Sequence, residues 1–256
     1  MIQSPPGKPV PPHPLLTTYY TSQHERSIFI RRLFDRSAAE YDSVNTLLSF
    51  GSGRWYRREA LRRAGLGAGM RVLDLATGTG LVAREALRLT GTDGMVVGLD
   101  LSRNMLAETR AALGLACVQA RAEAIPVAES SVDFVTMGYA LRHVTSLEDT
   151  FREYHRVLKP GGKLLILEVT KPAGRVGAWF FRLYFGRVYP FLTRLFTRSA
   201  DARDMMRYYW ETMDACVPPA AVLAALNGAG LAGVKRTVIL GLFSEYTAVK
   251  PAGNAG

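Results

Sequence analysis

Apolar positions recur along this chain with two different periods. From Ser22 to about Arg63 the spacing is helical: Ile28, Ile30, Leu33 and Phe34, then Leu47, Leu48 and Phe50. Gly51 and Gly53 break that pattern before Trp55–Ala64, and Gly65–Ala68 closes it. Short apolar runs then alternate with amphipathic stretches. Strands are predicted over 71–76, 95–100, 115–119, 132–138, 163–170, 233–240 and 242–249, with helices near 80–89, 103–112, 147–158 and 218–229. Such alternation predicts a parallel sheet with crossover helices. The last two strands meet around Gly241 with almost no connection, so they are expected to pair antiparallel. Residues 171–217 read as a large insertion before that hairpin, 1–20 as a loose Pro-rich tail and 251–256 as a second tail. One domain is expected over 21–250.

The first strand runs into a glycine turn, Arg71–Gly80 (RVLDLATGTG), and the next ends at Asp100 in MVVGLD. Gly78 and Gly80 lack the Cβ that would hold a ligand off the backbone. The helix N-terminus beyond them offers unpaired N–H groups. A carboxylate at the tip of the next strand is placed to accept from ribose hydroxyls. Gly78–Ala83 also fits the G-x-G-x-x-A dinucleotide pattern. Two features favour adenosylmethionine over a nicotinamide: the acidic Asp74 inside the first strand, and the reversed final hairpin. The expected fold is α/β, a class I methyltransferase of Rossmann-like form. Its seven-stranded, mostly parallel sheet ends in an antiparallel hairpin, with helical segments before the sheet and before the hairpin.

Composition narrows the partners. The net charge is +10 and 48% of the 256 residues are hydrophobic. That balance suits nucleic acid or an anionic membrane face, and equally an arginine-rich composition with no such partner. No Asn-Pro-Pro-Tyr/Trp motif for flipped bases occurs, so nucleic acid is not expected. Cys117 and Cys216 have no metal-ligand spacing, no metal is expected, and two reduced thiols point to the cytoplasm. Neither a signal core nor a run approaching ~20 apolar residues is present.

Four further stretches carry a resemblance: 34–61 (FDRSAAEYDSVNTLLSFGSGRWYRREAL), 119–145 (QARAEAIPVAESSVDFVTMGYALRHVT), 154–172 (YHRVLKPGGKLLILEVTKP) and the terminal hairpin. With the glycine loop they resemble the ubiquinone/menaquinone biosynthesis C-methyltransferase family over about 30–250. The resemblance implies S-adenosyl-L-methionine-dependent methylation of a ring carbon on a polyprenyl benzoquinol or demethylmenaquinol. Thr77, Gly78 and Gly80 would shape the methionine and ribose side, and Asp100 would hold the ribose. Met105 would lie against adenine, or serve as helix core, and Ala122 would offer backbone to the adenine edge. Asp74, Leu101, Arg121 and Gly138 complete the implied cofactor set. The helical segment 21–66 would form a lid carrying Tyr41 and Asp42 toward the chemistry; alternatively Asp42 caps a helix from Ser43.

Three departures concern adenine and the acceptor. Arg121 stands where family members have Asn or Asp, and arginine cannot accept a hydrogen bond. The family's Arg-Asn pair reads Arg142-His143, and its serine-tyrosine stretch reads Met205–Glu211. Methylation of another phenol or a lipid, phosphatidylethanolamine included, is therefore the alternative. An unperturbed phenol titrates near ~10, so a ring-methylating site must lower that value or supply a base. Arg142 is expected as a fixed cation and His143 as the base; otherwise Arg142 pairs with a surface carboxylate and His143 caps the helix near Ser146. Glu168 is read as pocket wall or structural acceptor.

Residues 171–200 hold Lys171, Arg175, Arg182, Arg187, Arg194 and Arg198, no acid, and eight aromatics. Arg187, Arg194 and Arg198 fall near one helical face, and Phe181, Phe185, Leu192 and Phe196 near another, with a break at Pro190. This predicts peripheral binding to an anionic bilayer or a wall for a prenyl tail; packing on the core or in a homodimer is the alternative.

Overall fold

The computed structural model describes residues 11–48, 52–172, 174–188, 191 and 200–253, with the side chains of 39–48 and 200–202 outside that set. Two helices, α1 (Gln23–Leu48) and α2 (Gly53–Arg63), precede the sheet. Then follow β1 (Arg71–Leu75), α3 (Leu81–Thr90), β2 (Met95–Asp100), α4 (Arg103–Leu113), β3 (Ala116–Gln119) and β4 (Val132–Gly138). A 3-10 turn (Leu141–His143) leads to α5 (Leu147–Val157) and β5 (Leu158–Val169). The insertion contains α6 (Arg175–Leu183), a π turn (Tyr184–Val188) and α7 (Ala200–Asp214). It is followed by α8 (Pro219–Gly228), β6 (Ala232–Ile239) and β7 (Phe243–Val249).

The sheet order is β3-β2-β1-β4-β5-β7-β6. The five strands from β3 to β5 are parallel, and β7 runs antiparallel to both of its neighbours, as the short link at Gly241 requires. β1 and β4 are the central neighbours from which the chain winds outward both ways. Their carboxyl ends bound the crevice where open α/β sheets bind ligands. One sheet face buries Leu73, Leu75, Val135, Met137, Leu164 and Ile166 under α5 and α8. The other buries Val72, Phe134, Leu165 and Leu167 under α2 and α3. The alternation follows the two-residue period of a strand. β5 starts earlier than its apolar run predicts, at Leu158, because Leu158 pairs with Val132 before the register shifts to Lys163 opposite Phe134.

A third cluster lies outside the sheet sandwich and joins Tyr20, Ile30 and Leu33 to Met205, Met206, Tyr208, Tyr209 and Met213 of α7. It corrects the reading of 1–20 as a loose tail, at least over 11–20; residues 1–10 lie outside the described set. His13 and Tyr20 are buried. The Pro12 carbonyl accepts from the Val217 N–H at 2.8 Å. Tyr20 packs its ring beside Phe29 and Tyr208. The segment is ordered because it carries Tyr19 and Tyr20 into an aromatic cluster and His13 against Arg26, features its proline content hides. Deleting residues 1–20 should therefore lower stability by about 2–4 kcal/mol, since Tyr20 alone buries a large ring. Thermal unfolding measures this, and an unchanged Tm would return the segment to the status of a tail.

Candidate active site

The glycine turn is built by the end of β1. Ala76 adopts φ 50°, the Thr77 N–H donates to the Leu99 carbonyl at 3.0 Å, and the Gly80 N–H donates to the Thr77 carbonyl at 2.9 Å. The Thr109 hydroxyl of α4 holds the Gly78 carbonyl at 2.6 Å. Asp74 lies beneath the loop, where its Oδ2 accepts from the Thr77 hydroxyl at 2.6 Å. Burial raises the Asp74 carboxyl to about 7. The site thus uses Asp74 to fasten the turn rather than to face the crevice.

Asp100 closes the other side. Its carboxylate accepts from the Gly78 N–H at 2.9 Å and the Ser102 N–H at 2.8 Å. Burial raises it to about 6, against the opposing pull of those backbone donors. A carboxylate has about four acceptor positions, so capacity remains for ligand hydroxyls. Ser102 caps α4 by accepting from the Met105 N–H at 3.1 Å and donates to Asp35 of α1 at 2.5 Å. Asp35 also accepts from the Asn104 N–H at 3.3 Å, so α1 is tied down across the crevice.

A cavity of about 110 Å³ results, open to solvent on one side. Gly78, Asp100, Leu101, Met105, Arg121, Ala122, Gly138 and His143, all expected from the sequence, line it. Met105 is buried in the core and also lines the cavity wall. Arg121 stands at the wall with its guanidinium 2.9 Å from the Thr145 hydroxyl and 3.5 Å from Glu123. Thr77, Gly80, Asp74 and Arg142 do not line the cavity but support residues that do. Tyr41 and Asp42 lie within α1, and their side chains fall outside the described residues. Because α1 runs unbroken through position 42, the reading of Asp42 as the cap of a helix from Ser43 does not hold.

The far wall joins three elements. The Arg142 guanidinium pairs with Glu168 at 3.0 Å and lies over the Tyr209 ring at 4.6 Å. Glu168 also accepts from the Leu141 N–H at 2.7 Å, so it is a buried structural acceptor and not a wall, and Arg142's partner is not a surface carboxylate. The His143 ring sits among Phe34, Tyr208 and Tyr209, stacked 5.7 Å from Tyr208. Neither of its ring nitrogens has a hydrogen-bond partner among the described residues. Burial first, then Arg142, Arg26 and His13, hold its imidazole well below the usual histidine range, so it is neutral near pH 7. It does not cap α5, because Ser146 does so by accepting from the Asp149 N–H at 3.2 Å.

Several wall residues were not singled out as such from the sequence: Ser27, Ile30 and Phe34 of α1 and Tyr139 after β4, while Tyr209 of α7 was marked only as part of the Met205–Glu211 stretch. Tyr139, like Ala76, takes a left-handed φ, here 60°. A non-glycine residue there costs on the order of 1–3 kcal/mol. No local residue preference signals either one. The α1 residues had a signal, since the helical period continues through them.

Fold and site define a class I adenosylmethionine-dependent methyltransferase. The sequence matches the ubiE/COQ5 methyltransferase family over residues 20–250, and the chain belongs to that family. It is 36% identical over 189 residues to the ubiquinone/menaquinone biosynthesis C-methyltransferase UbiE of Shewanella sp. (strain W3-18-1), covering 71% of this chain and 75% of the relative. The protein of that name from Shewanella oneidensis matches with the same identity and coverage. Among solved structures, the [4+2]-cyclase SpnF superposes with a TM-score of 0.62 at 17% identity, over 89% of this chain and 97% of its own. A SAM-dependent methyltransferase from Aquifex aeolicus gives 0.55 at 20% identity, over 75% and 88%. The residues present fit S-adenosyl-L-methionine: Asp100 keeps acceptor capacity at the crevice, and a Cβ at Gly78 would meet no protein atom within 4 Å.

That contrast between the two glycines is testable. In Gly78→Ala the methyl enters open space at φ +58°, so the protein should fold but bind adenosylmethionine at least tenfold more weakly. In Gly80→Ala it would meet Leu113 Cδ1 at 2.6 Å and Thr109 Cγ2 at 3.2 Å. Stability should then fall by about 1–2 kcal/mol. Calorimetric titration together with thermal unfolding separates the two, and wild-type affinity in Gly78→Ala would contradict the placement.

Proposed function

We propose that this methyltransferase transfers its methyl group to a ring carbon of a polyprenyl quinol, a benzoquinol or a demethylmenaquinol. The single observation that supports this most is His143: two buried ring nitrogens without partners among the described residues, framed by three aromatic rings at the cavity wall. A flat, hydroxyl-bearing ring fits such a slot, sliding between apolar faces while its O–H donates to imidazole. The names of the Shewanella relatives agree with that acceptor class.

Bound adenosylmethionine supplies an electrophilic sulfonium methyl. The remaining work falls to positioning, which for well-oriented reactants contributes roughly 7–11 kcal/mol. Asp100 and the Gly78 loop would hold the ribose side, and Met105 and Ala122 would border the adenine. The adenine amino group would be met by backbone carbonyls, because Arg121 has no acceptor and turns two of its N–H groups to Thr145 and Glu123. His143 would accept the acceptor's O–H proton at a ring nitrogen. Arg142, fixed by Glu168 and Tyr209, would set the local potential for an oxyanion.

The test is product mass after incubation with adenosylmethionine and a short-chain demethylated quinol, with phosphatidylethanolamine in parallel. A product one methyl heavier from the quinol alone is expected, and methylation of the phospholipid alone would transfer the proposal to that lipid. His143→Asn should lose at least a hundredfold in turnover with unchanged cofactor affinity. Near-normal turnover would remove histidine as the proton acceptor.

The insertion supplies a route to a lipid-borne substrate. Val176, Trp179 and Phe180 of α6 are 71%, 58% and 58% exposed, next to Arg175 and Arg182. Phe181 points inward against Phe185 and Trp210, so the outward apolar face differs from the one the helical spacing suggested. Leu192, Arg194, Phe196, Arg198 and Pro190 lie outside the described residues. Among the described residues no helix is long and apolar enough to cross a membrane. We infer peripheral binding to an anionic bilayer from the cytoplasmic side, aromatic rings toward acyl chains and arginines toward head groups. Co-sedimentation with anionic vesicles should fall with salt and with Trp179→Ala/Phe180→Ala. Independence from both would reject it.

A further inference from the structure

The first helix of the insertion has an inner and an outer face. Phe181 packs on Phe185 and on Trp210 of α7, with ring centroids 4.8 and 6.0 Å apart. The π turn comes equally close, since a Cβ added to Gly186 would meet the Trp210 ring at 3.5 Å. Away from these inner contacts, Trp179, Arg182, Leu183 and Arg187 surround a second cavity, of about 220 Å³ and open to solvent. Their spacing of three to four residues stacks side chains along one helical face. Turns of the π type are uncommon inside helices and frequently sit at functional sites.

Two guanidiniums border this cavity, and both keep N–H groups for a ligand. Arg182 Nε stands 3.9 Å from Asp214, whose carboxylate is already held by Lys171 at 3.0 Å. Arg187 is exposed and belongs to no ion pair within 4.0 Å among the described residues. Residues 171–200 contain no Asp or Glu, so no acid of this stretch competes for either arginine. A guanidinium meets a phosphate through a planar two-pronged contact that a point charge cannot reproduce. The surroundings are apolar. Exposed Val176 and Phe180 flank Trp179 in the helix, and the Phe180 ring lies 4.9 Å from the Trp179 ring. A second apolar projection, Leu240, is 84% exposed in the β6–β7 turn. That turn is tied to the start of the insertion, where the Thr170 N–H donates to the Leu242 carbonyl at 2.8 Å. A free phosphate ion gains nothing from these apolar groups, whereas the acyl chains of a lipid do.

We propose that this cavity binds the phosphate of an anionic glycerophospholipid, gripped by Arg182 and Arg187, with Trp179 at the polar boundary and Phe180 against the acyl chains. The inference rests on the proposed peripheral membrane binding and deepens it by assigning a site. Membrane attraction in general needs only surface charge, which salt screens. A site also needs the guanidinium shape.

The test is co-sedimentation of the full chain with vesicles of phosphatidylglycerol in an uncharged galactolipid matrix. Arg182→Lys and Arg187→Lys keep the charge and lose the fork, so each should weaken binding at least fivefold. Arg175→Lys, the same exchange on α6 outside the cavity, should change it less than twofold. S-adenosylhomocysteine affinity within twofold of wild type in all three variants checks the fold. Wild-type binding by both cavity variants, or equal weakening by Arg175→Lys, would overturn the site and leave charge alone as the attraction. Competition identifies the source of the phosphate. Monomeric dihexanoyl phosphatidylglycerol should displace the protein from vesicles at a concentration at least tenfold below that of glycerol phosphate. Equal potency of the two would overturn the lipid assignment in favour of a free phosphate. Failure of the wild type to bind any anionic vesicle would overturn peripheral binding and this inference together.

Discussion

The structure depends on one carboxylate at the tip of β2. Asp100 is held between the Gly78 and Ser102 amides, 2.9 and 2.8 Å away. Burial works against its charge and raises it to about 6, while those donors keep the ionised form accessible. Without the amides the crevice would hold a neutral acid, and without the acid the loop would lose its anchor at Gly78. A single contact thus fixes the mouth of the parallel sheet and the acceptor that a ribose needs. The left-handed backbone at Ala76 and Tyr139 flanks the same place, at the ends of the two central strands. Two of the four left-handed non-glycine residues among those described thus border the site, where such strain contributes to preorganisation.

The opposite wall has the reverse electrostatic character. Arg142 pairs with Glu168, Arg26 grips the Arg142 carbonyl, and His143 is kept neutral beside Tyr208 and Tyr209. The crevice therefore has a carboxylate end at Asp100 and an aromatic end at His143, with Arg142 held behind the latter, separated by apolar side chains such as Ile30, Phe34, Leu99 and Met137. That polarity suits a reaction between a cationic methyl donor and an electron-rich ring. On the proposed reading the donor lies near Asp100 and the ring toward His143. α1 touches both ends, through Asp35 at the α4 cap and through Arg26 behind the 3-10 turn.

Much of the sheet was legible because parallel strands, buried on both faces, are near-continuous apolar runs separated by helices. The Gly78 turn and Asp100 were legible for a different reason: close ligand approach and ribose contact need those residue types at that spacing. Positive φ at Ala76 and Tyr139 was not, since the surrounding sheet imposes it against local preference. The buried N-terminal segment was missed because six prolines over positions 5–14 outweigh His13 and Tyr20 in any compositional reading. Arg26 was invisible too. An arginine on a helix reads as a solvated charge until the tertiary structure places Tyr208 and the Arg142 carbonyl around it.

The most direct measurement is a crystal structure of the protein with S-adenosylhomocysteine. The account predicts ribose hydroxyls within hydrogen-bond distance of the Asp100 carboxylate, backbone of 77–80 against the ligand, and a free slot remaining beside His143. Electron density for the ligand anywhere else, or in this crevice with its ribose turned away from Asp100, would contradict it.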